Sequence, residues 1–307
     1  WIKRRNGAYS HYLYDSTRGT GKQLYAEKTD AEATDNTEVT AFNSDGFSLG
    51  SGSGTNENTN TQVAWCWKAN GGTTSSNSNG SITSTVQANT TAGFSIVTYT
   101  GNATAGATIG HGLGVKPAVI IVKQRTDSAE WLFNSHAFAN NKAMYLNTTD
   151  ALATDSFLNS TDPTTTVFTI NGSNGANGSS DNLVAYCFAG LKGYSKFGSY
   201  TGNGDADGAF VYTGFKPAWV LIKVTSTTED WWILDNTRDD DNPLRKMLYA
   251  SGNAAEIDTA DEMDFLSNGF KLRRSTTGRN GSGASYIYMA FAEHPFVSSK
   301  GVPVTAR

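Results

Sequence analysis

Stretches of this chain recur about 100 residues apart, and that internal repeat constrains the fold more than any other feature. Tyr99-Thr100-Gly101-Asn102 returns as Tyr200-Thr201-Gly202-Asn203. Gly114-Val115-Lys116-Pro117-Ala118-Val119-Ile120-Ile121-Val122-Lys123 returns as Gly214-Phe215-Lys216-Pro217-Ala218-Trp219-Val220-Leu221-Ile222-Lys223. A polar turn and an aromatic run follow in both copies, Glu130-Trp131-Leu132-Phe133 and Asp230-Trp231-Trp232-Ile233-Leu234. Each copy closes on a short apolar run, residues 183–188 in one and 286–291 in the other. A unit of this size suits an antiparallel β-sandwich. A propeller blade is shorter, at roughly 40–50 residues. Residues 94–189 and 194–293 are therefore expected to share one strand order, with Pro117 matching Pro217 and Phe188 matching Phe291.

Residues 1–69 follow the same order from its midpoint. Trp1-Ile2-Lys3 matches Leu221-Ile222-Lys223, and Asp15-Ser16-Thr17-Arg18 matches Asp235-Asn236-Thr237-Arg238. Asp45-Gly46-Phe47 matches Asn268-Gly269-Phe270, and the run around Cys66 is the closing strand. This copy lacks the Tyr-Thr-Gly-Asn strand and the Lys-Pro-Ala turn, so an open sheet edge is expected. On this reading Trp1 is an interior point of a longer chain, and the missing strands come from upstream or from a neighbouring chain. The organisation reads as a first repeat at 1–69, a Ser/Thr/Asn/Gly-rich linker or loop at 70–93, a second repeat at 94–190, a third at 191–296 and a tail at 297–307.

Composition agrees. Charged residues make up 17%, below the roughly 25% of an average chain, while Thr, Tyr, Trp and Val are interrupted by Gly and Asn, the pattern of strands joined by tight turns. The fold class is all-β, as tandem antiparallel β-sandwich (jelly-roll-like) repeats. Asp45-Gly46 and Asn268-Gly269 are expected at hairpin turns that use positive φ, and helix is confined to single turns near residues 31–33 and 254–258. With a net charge of −4 and no basic domain, nucleic acid is not expected as a partner. No apolar run reaches the length of a transmembrane helix, so membrane insertion is not expected. Cys66 and Cys187 sit in equivalent apolar runs and are expected as buried thiols, with a disulfide as the alternative. No CxxC, HExxH or Ser/His/Asp signature occurs, so no cofactor and no catalytic residue is expected.

Three groups of side chains merit attention. Trp131, Trp219, Trp231 and Trp232 are candidate exposed platforms for sugar rings, although packing explains them as well; adjacent Trp231 and Trp232 point to opposite faces, so at most one is expected in the core. Asp15/Arg18 and Asp235/Arg238 are expected as local ion pairs that pin a turn. Asn203-Gly204-Asp205-Ala206-Asp207-Gly208 resembles the first half of a calcium loop, making Asp205 and Asp207 candidate metal ligands, yet Gly214 occupies the twelfth position, where such a loop needs a bidentate Glu.

The segments Trp1-Ile2-Lys3-Arg4-Arg5, Asp15-Ser16-Thr17-Arg18-Gly19, Phe42-Asn43-Ser44-Asp45-Gly46-Phe47 and Gly110-His111-Gly112-Leu113-Gly114, with the C-terminal residues 296–307, resemble a repeat family of unassigned function common in structural proteins of marine tailed phages. The resemblance implies a tail-fibre, spike or head-appendage component on the virion that mediates host attachment or assembly and is not an enzyme. Its expected partners are other copies of itself, with a trimer favoured, other virion proteins, and a host-surface glycan or protein. The second repeat carries Asn134-Ser135-His136 near the Asp-x-x-Arg position, so that element is not needed in every copy. Two other readings stand beside this one: a carbohydrate-binding or depolymerising tailspike, and a bacterial surface adhesin or filament subunit.

Overall fold

The computed structural model describes residues 1–295; the proposed tail at 297–307 lies outside them. The chain is nearly all β. It forms two compact units: Trp1–Thr148 with Ala153–Ala189 and Ser251–Asn253, and Thr149–Leu152 with Gly190–Ala250 and residues 254–295.

In the first unit, the first repeat supplies β1 (Ile2–Arg4), β2 (His11–Asp15), β3 (Gly19–Tyr25), β4 (Ala33–Thr34), β5 (Val39–Phe42), β6 (Phe47–Leu49), the single-turn α1 (Ser53–Asn56) and β7 (Gln62–Ala64). The order β4-β3-β2-β1-β7 makes a five-stranded sheet, and β5 and β6 form a separate hairpin. Next come β8 (Ser75–Asn77) and β9 (Ser84–Asn89), then the second repeat: β10 (Phe94–Thr100), β11 (Ala107–Gly110), β12 (Val119–Gln124), β13 (Leu132–Ser135), β14 (Lys142–Tyr145), β15 (Ala153–Thr154), β16 (Val167–Ile170), α2 (Asn174–Asn177) and β17 (Asn182–Phe188). Its main sheet runs β15-β14-β13-β12-β17-β10-β9-β8, and β11 pairs with β16 in the facing layer. Between the layers lie Val97, Tyr99, Ile109, Ile120, Val122, Phe157, Phe168, Ile170, Ala185 and Cys187. The polar segment 70–93 is thus more than a linker. Its strands β8 and β9 extend the second repeat's sheet, and Ile82 and Val86 enter that core.

In the second unit, the third repeat supplies β18 (Ser195–Thr201), β19 (Phe210–Tyr212), β20 (Pro217–Val224), β21 (Trp232–Asp235), β22 (Leu244–Tyr249), β23 (Ile257–Leu266), β24 (Gly269–Leu272), α3 (Thr277–Asn280) and β25 (Ser285–Ala292). These form one eight-stranded sheet, β18-β25-β20-β21-β22-β23-β24-β19. The ten-residue β23 pairs with β22 at Ile257, Asp258 and, past an irregularity, Met263, and with β24 from Met263 to Leu266, so it links the two strands in one sheet.

The pairing registers of the second and third repeats match. Phe188 sits between Phe94 and Val119, and Phe291 between Ser195 and Trp219. The orders β10-β17-β12-β13-β14 and β18-β25-β20-β21-β22 are the same. The Lys-Pro-Ala runs lead into β12 and β20, where every residue but Ala218 is buried. Strands covered on both faces read as continuous apolar runs rather than alternating ones.

Some details depart from the sequence reading. Helix appears as α1, α2 and α3, whereas the two Ala-rich stretches lead into the extended β4 and β23. The Asp45-Gly46 and Asn268-Gly269 hairpins form, but none of these four residues has positive φ. Gly269 is required by a close approach instead: a Cβ there would lie 2.2 Å from the Val211 carbonyl oxygen on β19. Cys187 is buried, but Cys66 is exposed, and both thiols are free.

Candidate functional site

The chemistry-bearing side chains gather in buried locks at equivalent places in the first and third repeats. Asp15 ends β2, and its Oδ1 accepts the backbone N–H groups of Thr17 (3.0 Å) and Arg18 (2.8 Å), folding the chain into a turn. The turn brings Arg18 Nε to 2.5 Å from Asp15 Oδ2. The other guanidinium nitrogens of Arg18 donate to Leu13 O and Glu32 Oε2, both at 3.0 Å. The third repeat reproduces each contact. Asp235 Oδ1 accepts from Thr237 (3.1 Å) and Arg238 (2.9 Å), and Arg238 donates to Asp235 Oδ2 (2.6 Å), Ile233 O (3.0 Å) and Glu256 Oε2 (2.9 Å). Charged groups out of water need this degree of pairing.

The second repeat replaces the whole lock. By register, Ser135 opposite Val119 holds the place of Asp235 opposite Trp219. Counting on, Phe138 stands for Arg238, and Leu152 stands for Glu32 in the matching runs Thr29-Asp30-Ala31-Glu32-Ala33-Thr34-Asp35 and Thr149-Asp150-Ala151-Leu152-Ala153-Thr154-Asp155. Acid, base and second acid change together to a hydroxyl and two apolar side chains. That is the pattern of a structural ion network, in which removing a single partner strands a buried charge.

These matching runs hold neighbouring strands. In the first unit, Glu32 N–H donates to Arg125 O (2.9 Å) and Ala129 N–H to Thr29 O (2.9 Å). In the second, Leu152 N–H donates to Thr225 O and Glu229 N–H to Thr149 O, again at 2.9 Å. Arg125 grips the Glu32 carboxylate through two nitrogens, whereas Leu152, which has no charge to offer, meets Thr225 at the equivalent position. A lysine on the adjoining strand pins the segment: Lys123 Nζ donates to Thr29 O and Ala129 O, both at 2.8 Å. Lys3, Lys123 and Lys223 are equivalent, and each is fully buried. Burial pushes Lys123 and Lys223 down to about 8, against the pull of nearby carboxylates.

Burial alone would raise the Asp15 carboxyl, but Arg18 and the Tyr186 hydroxyl, which donates to Asp15 Oδ2 at 2.7 Å, hold it below the usual carboxylate value. Burial likewise opposes ionisation of Glu32, and the hydrogen bonds from Arg125 and Arg18 more than offset it. Sequence reading found Asp15, Arg18, Asp235 and Arg238 but missed Glu32, Arg125, Tyr186 and the lysines. The repeated Thr-Asp-Ala-x-Ala-Thr-Asp run and the recurring strand-borne Lys were the available signals.

The four tryptophans are not surface platforms. Trp131, Trp219, Trp231 and Trp232 are all buried. Trp231 precedes β21 and Trp232 opens it, and every residue of β21 is buried, so both faces of the strand are covered and both tryptophans are buried. Trp131 Nε1 donates to Tyr25 O (2.8 Å), and its ring stacks on Tyr186. Trp232 lies under the Arg279 guanidinium, 3.7 Å from the ring centroid.

Asp205 and Asp207 lie in an exposed loop stapled by its own backbone. Asn203 Oδ1 accepts the Asp205 N–H (3.0 Å), Asp205 Oδ1 accepts the Asp207 N–H (2.9 Å), and Asp207 pairs with Lys271 (2.8 Å). Asn280 clamps the loop, donating to Asn203 Oδ1 and Asp205 O, both at 2.8 Å. Asn177 clamps the acid-free loop of the second repeat the same way, through Asn102 Oδ1 (3.1 Å) and Thr104 O (2.9 Å), so the loop's shape needs no carboxylate. Among the described residues, no group of three or more His, Cys, Asp or Glu side chains is placed to hold a metal ion.

A cleft of about 130 Å³ opens on the second repeat, lined by Lys116, Asn134, His136, Asn140 and Asp162 among others. Lys116 Nζ pairs with Asp162 Oδ2 (2.9 Å), and Asn140 donates to Asp162 Oδ1 (2.6 Å); these two hydrogen bonds hold the exposed Asp162 carboxyl below its ordinary value. With one carboxylate, already paired, the cleft offers polar contacts rather than the two carboxyl groups of glycoside hydrolysis.

No curated protein and no solved structure matches the chain. One family model covers residues 1–295, the whole of the described sandwich array. The chain belongs to the family described as Domain of unknown function (DUF7483).

Proposed function

We propose that this protein is a structural component of a phage particle, in a tail fibre, spike or head appendage, that carries shape and contact surface and turns over no substrate. The observation that carries the reading is the use made of the reactive side chains. The Asp–Arg pairs of the locks, Lys3, Lys123 and Lys223, and Trp131, Trp219, Trp231 and Trp232 are buried in packing, and loops rich in Ser, Thr, Asn and Gly face outward. The resemblance of the repeat motifs to phage structural proteins supports the same conclusion. Assembly with further copies and attachment to a host surface belong to the proposal. Antibody raised against the chain and applied to particles and cells of the source should label an appendage on virions in electron microscopy; label confined to bacterial surfaces would favour an adhesin and overturn it.

The cleft on the second repeat favours glycan binding as a second reading, since amide, imidazole and ammonium groups converge there with two prolines. Incubation with host polysaccharide should release no oligosaccharide. Release abolished by Asp162→Asn would replace the structural reading with the depolymerase.

A further inference from the structure

The second and third repeats complete their sandwiches with an opening strand, a Tyr-Thr-Gly-Asn loop and a return strand, and the first repeat retains the features that receive this segment. In the second repeat β10 pairs along the whole of β17. Tyr99 donates to Ala176 O (2.8 Å), Asn177 grips the loop, and β11 then pairs with β16. In the third repeat β18 pairs along β25, Tyr200 donates to Arg279 O (2.6 Å), Asn280 grips the loop, and β19 pairs with β24.

In the first repeat the counterpart of β17 and β25 is β7, the terminal strand of its sheet. Trp65 exchanges hydrogen bonds with Trp1, so alternation turns the N–H and C=O groups of Ala64 and Cys66 toward the opposite edge, where no strand lies among the described residues. The side chains beside that edge are exposed at Ala64 and Cys66, while their counterparts Ala185 and Cys187 are fully buried. Both side-chain amide atoms of Gln62 are buried without a hydrogen-bond partner. In the facing layer, Phe47 and Leu49 are half-buried, whereas Phe168, Ile170, Phe270 and Leu272 at the same positions are 0% exposed. The clamp asparagine is present as Asn56, exposed and turned to Gly50 O (2.7 Å), where Asn177 and Asn280 are fully buried. Gly46 matches Gly269, which β19 forces to be glycine, yet no atom lies within 4 Å of a Cβ built at Gly46.

We infer that the first repeat is a receptor for one kind of occupant: a polypeptide segment, strand–(Tyr-Thr-Gly-Asn)–strand, of the pattern seen at residues 94–110. The segment would add a strand to β7, place its tyrosine hydroxyl on the α1 turn and its loop on Asn56, and return beside β6 to cover Phe47 and Leu49. Main-chain pairing along the edge supplies affinity, and alternate apolar side chains supply specificity. This inference rests on the repeat alone and stands apart from the virion assignment.

The test uses Cys66 as reporter, because Cys66 is exposed and Cys187 is buried. The full chain is alkylated with and without a synthetic peptide of residues 94–110. Alongside it, a fusion carries the same segment ahead of Trp1 on a flexible Gly-Ser linker, which raises its effective concentration at the edge. Protection of Cys66 by tenfold or more, from the peptide or in the fusion, is the expected result. A Gly101→Val peptide should protect weakly, since the matching glycine sits 2.2 Å, measured from a Cβ built there, from the Gly178 carbonyl oxygen in its own repeat. Asn56→Ala should weaken protection without unfolding the chain, because Asn56 is exposed; circular dichroism checks this. Alkylation at an unchanged rate in both peptide and fusion arms overturns the inference, as does equal protection by a scrambled peptide.

Discussion

Arg125 meets Glu32 in a two-pronged ion pair: Nε and a terminal nitrogen donate to the two carboxylate oxygens, each at 2.8 Å. Glu32 also takes Arg18, so one carboxylate joins a buried turn to the residue that follows β12 of the second repeat within the same unit. Removing Glu32 leaves Arg18 with only part of its compensation. Glu32→Leu alone is expected to cost about 3 kcal/mol of stability. The second repeat carries Ser135, Phe138 and Leu152 at the lock positions, and Thr225 stands in the third repeat where Arg125 stands in the second, so Asp15→Ser, Arg18→Phe, Glu32→Leu and Arg125→Thr together should cost clearly less than the sum of the single changes. Urea denaturation of the set measures the coupling; additive losses would refute a cooperative lock.

The same carboxylates set an acid limit. Asp15 and Glu32 are held below their ordinary values of 3.8 and 4.5, so in the acid range the unfolded chain binds more protons than the folded one. Their stabilisation is fully present above those unfolded values and is lost as pH falls through the lowered folded ones. Denaturation midpoints should therefore fall steeply below about pH 4. In the double variant Asp15→Asn/Glu32→Gln the midpoint should start lower at neutral pH and vary less with acid. An acid limb equally steep in that variant would assign the loss to other groups.

The repeat order and most strands were legible because motif spacing survives even where side chains differ. Whether a face is covered was not. Alternation puts Trp231 and Trp232 on opposite faces, but it cannot say that both faces of β21 are packed, nor that β7, which carries the chain into Cys66, lacks the neighbour that β10 gives β17. The Glu32–Arg125 pair was hidden for another reason: its partners are 93 residues apart and belong to different repeats. The Thr-Asp-Ala-x-Ala-Thr-Asp run marked one side of that contact, and nothing local marked the other.

Lys123 makes a separable contribution. Its ammonium holds the carbonyl oxygens of Thr29 and Ala129. Lys123→Met preserves most of the buried chain length and strands both acceptors, at a cost of about 1–3 kcal/mol each if they stay dry. The effect should be local first: amide exchange at Glu32 and Ala129, whose N–H groups bond across this junction, should speed up before that of the β12–β17 pairs. Uniform acceleration across the unit would show that the lysine supports the whole core rather than the junction.

The loop at 203–208 separates a calcium site from a backbone staple. Its resemblance to a calcium loop lies in Asn203, Asp205 and Asp207, yet the second repeat folds the equivalent loop on Asn102 and Asn177 without an acid. The common element is the buried clamp asparagine. Asn280 donates twice into the loop and accepts the Asn203 N–H at 3.0 Å, so Asn280→Ala removes three hydrogen bonds at a buried position and should cost about 2–4 kcal/mol. Asp207→Asn breaks only exposed pairs, with Lys271 and Arg273, and should leave the melting temperature unchanged. Calcium at millimolar concentration, or its removal by EDTA, should shift the melting temperature of neither the parent chain nor Asp207→Asn. A calcium-dependent rise in the parent that disappears in Asp205→Asn would show that the loop binds the ion and that the staple is only its scaffold.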